Sequence, residues 1–160
     1  MRIINVLKFL WLLPATILVW VFYVLPLWVT RQISFLSWTT AKEMKIPIFI
    51  LENYNSVYGR LWRDWAGWSG PWVIIVKEYN ARSSSTILHE AQHCDDQATW
   101  GVFFYPAYLF HSLYLWLFCK DKHSYIDNYF ERRARKAAWQ KVDIPRDQWM
   151  HGPDDRWAWW

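Results

Sequence analysis

Residues 9–30 carry no charged side chain, and a stretch of that length has to be buried in protein or in lipid. Leu, Val, Ile, Phe and Trp dominate it, with Pro14 and Pro26 inside. A helix of about 20 apolar residues crosses the hydrocarbon of a bilayer, and proline is tolerated in membrane helices. A cleaved signal would be shorter and would end in small residues, whereas this run ends Leu27-Trp28-Val29-Thr30. The pattern predicts an uncleaved transmembrane anchor over residues 1–30. Arg2 and Lys8 precede the run and Arg31, Lys42 and Lys45 follow it, so the charge bias that orients membrane helices selects neither side.

The rest of the composition agrees with a membrane setting. Aromatic residues make up 21% of the chain and 15 residues are Trp, and such rings favour the headgroup level of a bilayer. The net charge of +4 is spread along the chain without a block of one sign. That distribution gives nucleic-acid binding no support and suits a mildly basic surface near anionic lipid. Cys94 and Cys119 form neither a disulfide framework nor a cysteine metal motif; both are expected to be buried and inert.

Residues 31–70 read as irregular, with Trp, Gly and Asn punctuating short apolar stretches. Residues 72–76, rich in β-branched side chains and opened by Gly70-Pro71, predict a strand. Ser83, Ser84 and Ser85 are N-cap candidates for a helix starting near Thr86. A further helix is expected over about 125–140, with Ile126, Phe130, Ala134 and Ala137 as its apolar stripe. Residues 141–160 read as a loop-rich, Trp-rich tail.

The expected helix after Ser85 carries His89-Glu90-Ala91-Gln92-His93. Side chains four apart share one helix face, so both imidazoles can reach one metal ion. Glu90, about 100° round the helix from His89, is placed to touch a water on the metal rather than the metal itself. Zn2+ lowers the pKa of that water and polarises a carbonyl, while the glutamate takes the proton. The motif follows a strand, a polar loop and a run of caps, and it precedes an apolar stretch; a solvated helix with a chance pattern would lack that context.

A catalytic zinc site needs a third protein ligand. The metzincin pattern is absent, because Asp96 and Thr99 stand where its glycine and third histidine would be. Glu131, Asp127, Asp121, His123 and His111 remain. Glu131 is favoured: it lies in a strong helical pattern and shares a face with Asp127, Ala134 and Ala138, whose small neighbours permit close helix approach. His123 is the runner-up, and His111 suits packing better. A carboxylate at 131 can also simply pair with Arg135, four residues on. Gln97, four beyond His93, is a candidate to hydrogen-bond a ligand.

The motif with Gln97, an aromatic run containing Pro106, and then Asn128-Tyr129-Phe130-Glu131-Arg132-Arg133-Ala134 resembles small gluzincin-like metallopeptidases of bacteria and their phages. These show H-E-x-x-H-x-x-x-Q, an aromatic spacer and an Asn-x-x-Glu-x-x-Ala helix. The resemblance covers roughly residues 72–138. It implies zinc held by His89, His93 and Glu131, with Glu90 as the catalytic base acting on a peptide or protein substrate. The chain departs from the pattern in Ala91-Gln92, where glycine is common before the second histidine, and in its unusually aromatic spacer. The implied fold is mainly α with a small β-element: a minimal zincin-like domain over 31–140 behind the transmembrane helix of 1–30, followed by the tail of 141–160.

Ligation by Glu131 restricts topology. Residues 97–119 form a second uncharged run, of 23 residues, between His93 and Glu131. As a straight helix it would be about 34 Å long and would put Glu131 across a bilayer from His93. Gly101 and Pro106 offer breaks, and a helical hairpin at about 98–119, turning near Tyr105-Pro106, is expected. Two other readings stay open on sequence alone: a non-catalytic membrane interaction or pore-forming protein with a structural or degenerate metal site, and a zinc hydrolase acting on lipid. Glu90 speaks against the first, since a structural site needs no carboxylate there.

Overall fold

The computed structural model describes residues 3–41, 44–52, 66–81 and 83–148. The Trp-rich end of the tail, residues 157–160, lies outside them. Four strands form one sheet: β1 (Ile33–Ala41), β2 (Met44–Leu51), β3 (Gly67–Gly70) and β4 (Val73–Lys77). Their order is β1-β2-β4-β3, with β2 and β4 parallel and the outer pairs antiparallel. Three of these strands fall within 31–70, the region expected to be irregular. Pro47 sits inside β2 opposite Trp38. Pairing with β4 starts only at Ile48, so the proline precedes the two-sided part of the strand, where a residue without an N–H is tolerated.

The expected strand at 72–76 is β4. Pro71 and Trp72 form its two-residue turn with β3, closing on the Gly70–Val73 pair. Trp72 has φ 57°, so proline precedes a left-handed residue, as in a type II turn.

Alternate strand residues serve opposite faces of the sheet. Ile33, Phe49, Leu51, Val73 and Ile75 pack with Val24 and Leu27 of the N-terminal helix. Ile46, Ile48, Ile74 and Val76 pack with Ala91 and Cys94 of the motif helix. The architecture is therefore mixed: a small sheet between helical layers.

The N-terminal apolar run is helical: α1 (Ile3–Val19), a π turn (Trp20–Val24) and α2 (Leu25–Val29). In the π turn the Leu25 N–H bonds the Trp20 carbonyl, five residues back. The wide turn falls just before Pro26, whose ring and missing N–H disturb the regular ladder. Far from standing clear of the domain, this helix packs along it. Trp20 and Tyr23 meet Phe49 and Trp68 of the sheet, with ring centroids 6.0 and 5.0 Å apart. Nearer its start, Lys8 Nζ donates to Thr99 Oγ1 at 3.2 Å and lies 3.9 Å from Asp95.

The motif helix α3 (Ser84–Trp100) starts where the serines predicted, with Ser83 Oγ accepting from the Thr86 N–H. It ends at Gly101, whose φ of 56° and ψ of −133° leave helical space. Glycine is required there twice over: L-residues rarely adopt that conformation, and a Cβ would lie 1.8 Å from the Trp11 indole nitrogen. Beyond a short 3-10 turn, α4 (Phe104–Phe118) is continuous. The turn that reverses the chain is thus at Gly101–Phe103, ahead of the expected Tyr105-Pro106. Pro106 falls in the first turn of α4, where its missing donor costs nothing. The reversal itself is plain, because a straight helix would carry Tyr108 about 22 Å from His93, whereas their rings are 6.5 Å apart.

The last helix, α5 (Tyr129–Ala137), is shorter than expected at both ends. Its buried stripe runs through Phe130, Ala134 and Ala138, with Ala137 exposed. By length and composition, Leu10–Val29 and Ser84–Phe118 each suffice to cross a membrane, though Gly101 breaks the second.

Candidate metal centre

The reversal at Gly101 and the cap of α5 together bring residue 131 over the motif helix. Asn128 is fully buried and caps α5, accepting from the Phe130 N–H at 2.9 Å. Its Nδ2 donates to the Tyr108 carbonyl at 3.0 Å and to Ser112 Oγ at 2.7 Å, fastening α5 to α4. Arg133 reaches across to the buried Asp96 of α3 at 3.0 Å. Ala134 and Ala138 keep the α3–α5 approach close.

His89, His93 and Glu131 converge as a result. The two Nε2 atoms are 3.2 Å apart; His89 Nε2 is 3.3 Å from Glu131 Oε2, and His93 Nε2 is 3.1 Å from Glu131 Oε1. Ligand atoms around a tetrahedral ion with bonds of about 2.0–2.1 Å stand roughly 3.3–3.4 Å apart. The two imidazole nitrogens are thus about one tetrahedral edge from each other and from the nearer Glu131 oxygen, each histidine meeting a different oxygen of that carboxylate, and this group could hold a metal ion.

The protons point the same way. Gln140 presents Oε1 to His89 Nδ1 at 3.1 Å, so Nδ1 carries the hydrogen and Nε2 offers a lone pair. That nitrogen meets a carboxylate and a second imidazole nitrogen among largely buried side chains. In the metal-free protein a proton on a facing histidine nitrogen can bridge to Glu131, and a metal ion would take the same place. Burial alone would raise the Glu131 carboxyl; charge on His93 and hydrogen bonding with both histidines hold it well below the usual carboxylate range. Tyr108 Oη adds a hydrogen bond to Glu131 Oε1 at 2.8 Å. Burial, then the neighbouring Glu131 and Glu90 charges, push the Tyr125 phenol well up, so it remains a hydroxyl donor beside the carboxylate.

The group lies in a cavity of about 430 Å3, bounded by β3, α3, α4 and α5. Glu90 lines it, and its carboxylate lies under Gly67 of β3: a Cβ there would come within 3.1 Å of Glu90 Cγ and Oε1.

The other ligand candidates have separate duties. His123 Nδ1 accepts from the Tyr125 and Ile126 N–H groups, both at 3.1 Å, organising the loop before α5. Asp127 Oδ2 accepts from the His123 N–H, and its other oxygen meets Arg132. His111 Nδ1 accepts from the Tyr129 N–H, and Asp121 is exposed. Gln97 lines the cavity, but its Nε2 donates to the Ser69 carbonyl at 3.0 Å rather than to a histidine and ties α3 to β3. Sequence reasoning missed Gln140, Tyr108 and Gly67. Only Tyr108 left a trace there, as a polar hydroxyl on the i, i+4 stripe of Phe104 and Ser112. No family model, no curated protein and no solved structure matches the chain.

Proposed function

We propose that the chain is a membrane-associated zinc metallopeptidase of the gluzincin kind, on a minimal zincin-like scaffold, with His89, His93 and Glu131 as metal ligands and Glu90 as general base. The observation that carries the reading is the convergence of His89, His93 and Glu131 within 3.1–3.3 Å of one another's ligand atoms, with the Glu90 carboxylate lining the same cavity outside that group. Two imidazoles and one carboxylate are a donor set typical of catalytic zinc, which keeps a further position open.

When bound, zinc supplies a Lewis acid that polarises the scissile carbonyl and acidifies water. Glu90 takes the proton from the attacking water and passes it to the departing nitrogen. Tyr108 and Gln140 hold Glu131 and His89 in their ligating orientations. The Tyr125 hydroxyl stays protonated and can donate to developing negative charge. A peptide substrate is favoured over a lipid because β3 lines the cavity and, among the described strands, pairs only with β4. Apart from the Ser69 carbonyl, which Gln97 holds, its outer edge can take up an extended peptide by main-chain hydrogen bonds.

The test combines metal content with peptide hydrolysis. The parent should carry one Zn2+ per chain and cleave a peptide library. Glu90→Gln should keep the zinc and lose at least about a hundredfold in rate, the scale of general-base catalysis. Hydrolysis undiminished in Glu90→Gln refutes the assignment.

A further inference from the structure

The helix that looks like a transmembrane anchor has two distinct sides. Leu12, Val24 and Leu27 are buried against the domain. Leu7, Leu10, Leu18, Val21, Phe22 and Leu25 point outward along one stripe, and Trp11 lies at its border, half exposed and half against Gly101. A helix crossing a bilayer as a free anchor needs no such division. The packed side is occupied over most of its length: near Lys8 and Trp11 by the end of α3 and by Gly101, and from Trp20 to Leu27 by the sheet. If residues 10–29 crossed the hydrocarbon, the sheet and the α3 terminus with buried Asp95 and Asp96 would be drawn in beside them. Open sheet edges are not tolerated there, since their N–H and C=O groups find no partners in lipid.

The second apolar helix tells the same story. Phe104, Tyr108, Ser112 and Leu115 of α4 face the domain, while Leu109, Phe110, Leu113, Trp116 and Leu117 are exposed. At 15 residues, α4 is about 22 Å long, too short for the roughly 30 Å of hydrocarbon. Trp11 of α1 and Phe103 of the turn before α4, both partly exposed, have ring centroids 6.5 Å apart and so join the two outer surfaces. Exposed cations stand at the far ends of both: Arg31 after α2, and Lys120 and Lys122 after α4. Cations and indoles bordering an apolar surface suit an anionic headgroup layer.

We propose that the outer faces of α1–α2 and α4 form one surface that seats the protein in a single leaflet of an anionic bilayer, without any helix crossing it. Neither metal binding nor hydrolysis is needed for this seating. The surface also borders the cavity, because Tyr105 and Leu109 line both.

The experiment uses the full chain with Cys94→Ala and Cys119→Ser. Single cysteines are placed at Arg31, at Lys120, and in a tag added before Met1, in sealed membrane vesicles probed with an impermeant maleimide. All three should label from the same side. The tag and the Arg31 position labelling from opposite sides would show that α1 crosses, and would overturn the proposal. In parallel, flotation is measured with vesicles of phosphatidylcholine and phosphatidylglycerol. Phe22→Glu with Phe110→Glu should cut the bound fraction by about tenfold or more, with helix content and zinc content unchanged. Flotation unaffected by that pair would mean that the surface is not what binds lipid. Parent protein that fails to float and instead self-associates through these residues would assign the surface to a second copy, again overturning the proposal.

Discussion

Gln140 Oε1 lies 3.1 Å from His89 Nδ1, and the backbone that places it there is the C-terminal cap of α5. The Gln140 N–H bonds the Arg135 carbonyl at 2.9 Å and the Trp139 N–H bonds the Lys136 carbonyl at 3.3 Å. Trp139 between them takes φ 58°, which completes a Schellman motif with an indole where glycine is usual. Removing the amide in Gln140→Ala should weaken zinc binding by about 10–100-fold without unfolding α5. Competition against a graded set of chelators reads this, and affinity equal to the parent would show that His89 is oriented by something else.

Tyr108→Phe deletes the hydroxyl that donates to Glu131 while leaving the ring packed on Phe130. Without that donor Glu131 is less firmly held in its ligating orientation, so zinc affinity should fall on the order of tenfold. Thermal stability of the metal-free protein should fall as well, because an acceptor loses its donor. The same chelator competition, with a melting curve beside it, checks both.

Gly67→Ala places a methyl within 3.1 Å of the Glu90 carboxylate. The carboxylate has to shift by a few tenths of an ångström, and proton transfer is sensitive to such displacements. Peptide hydrolysis should drop about tenfold or more while zinc content stays at the parent value. A variant that keeps full activity would mean that Glu90 works from a position away from β3.

In the metal-free protein, Glu131 has a folded pKa well below its unfolded value. Its contribution is therefore fully present above the unfolded carboxyl range, about 4.3, and is lost as pH falls through the lower folded value. Within that window the unfolded chain binds more protons, so stability should rise with pH. Urea midpoints measured from pH 5 downward should fall less steeply in Glu131→Gln than in the parent. With zinc present, affinity in both the histidine and carboxylate arms should decline on acidification, because protons compete for the ligands.

Much of the centre was legible because it rests on local rules. The serine caps, the i, i+4 histidines and the small residues around Glu131 all act within one helix or one helix contact. The sheet was not, because β1 and β2 owe their form to each other and to β4: Pro47 reads locally as a breaker and is tolerated only because β4 pairing begins one residue later. The turn position depended on Trp11, far away in sequence, whose indole leaves room for glycine alone at 101. Gln140 was hidden for a similar reason, since its direction comes from a left-handed Trp139 that no residue preference signals. The apolar run at 9–30 was read by length, but length is blind to which side of a helix has protein beside it.

Gly101→Ala offers a sharp check of that distant coupling. The added Cβ meets both a forbidden backbone conformation and the Trp11 indole. Stability should fall by several kcal/mol, and Trp11→Ala in the same chain should recover only the part due to the clash. Full recovery in the double variant would show that the backbone at 101 carries no strain.

His93 and Glu131 stand on either side of all of α4, so an ion shared by them is also a cross-link. It ties the chain into a loop from residue 93 to residue 131, with the apolar helix inside. By the chain-entropy argument used for disulfides, closing a loop of that length in the unfolded ensemble is worth about 4 kcal/mol. Zinc would then act as a reversible staple on the fold-back at Gly101, and a chelator would loosen α4 from the domain as well as stop the chemistry.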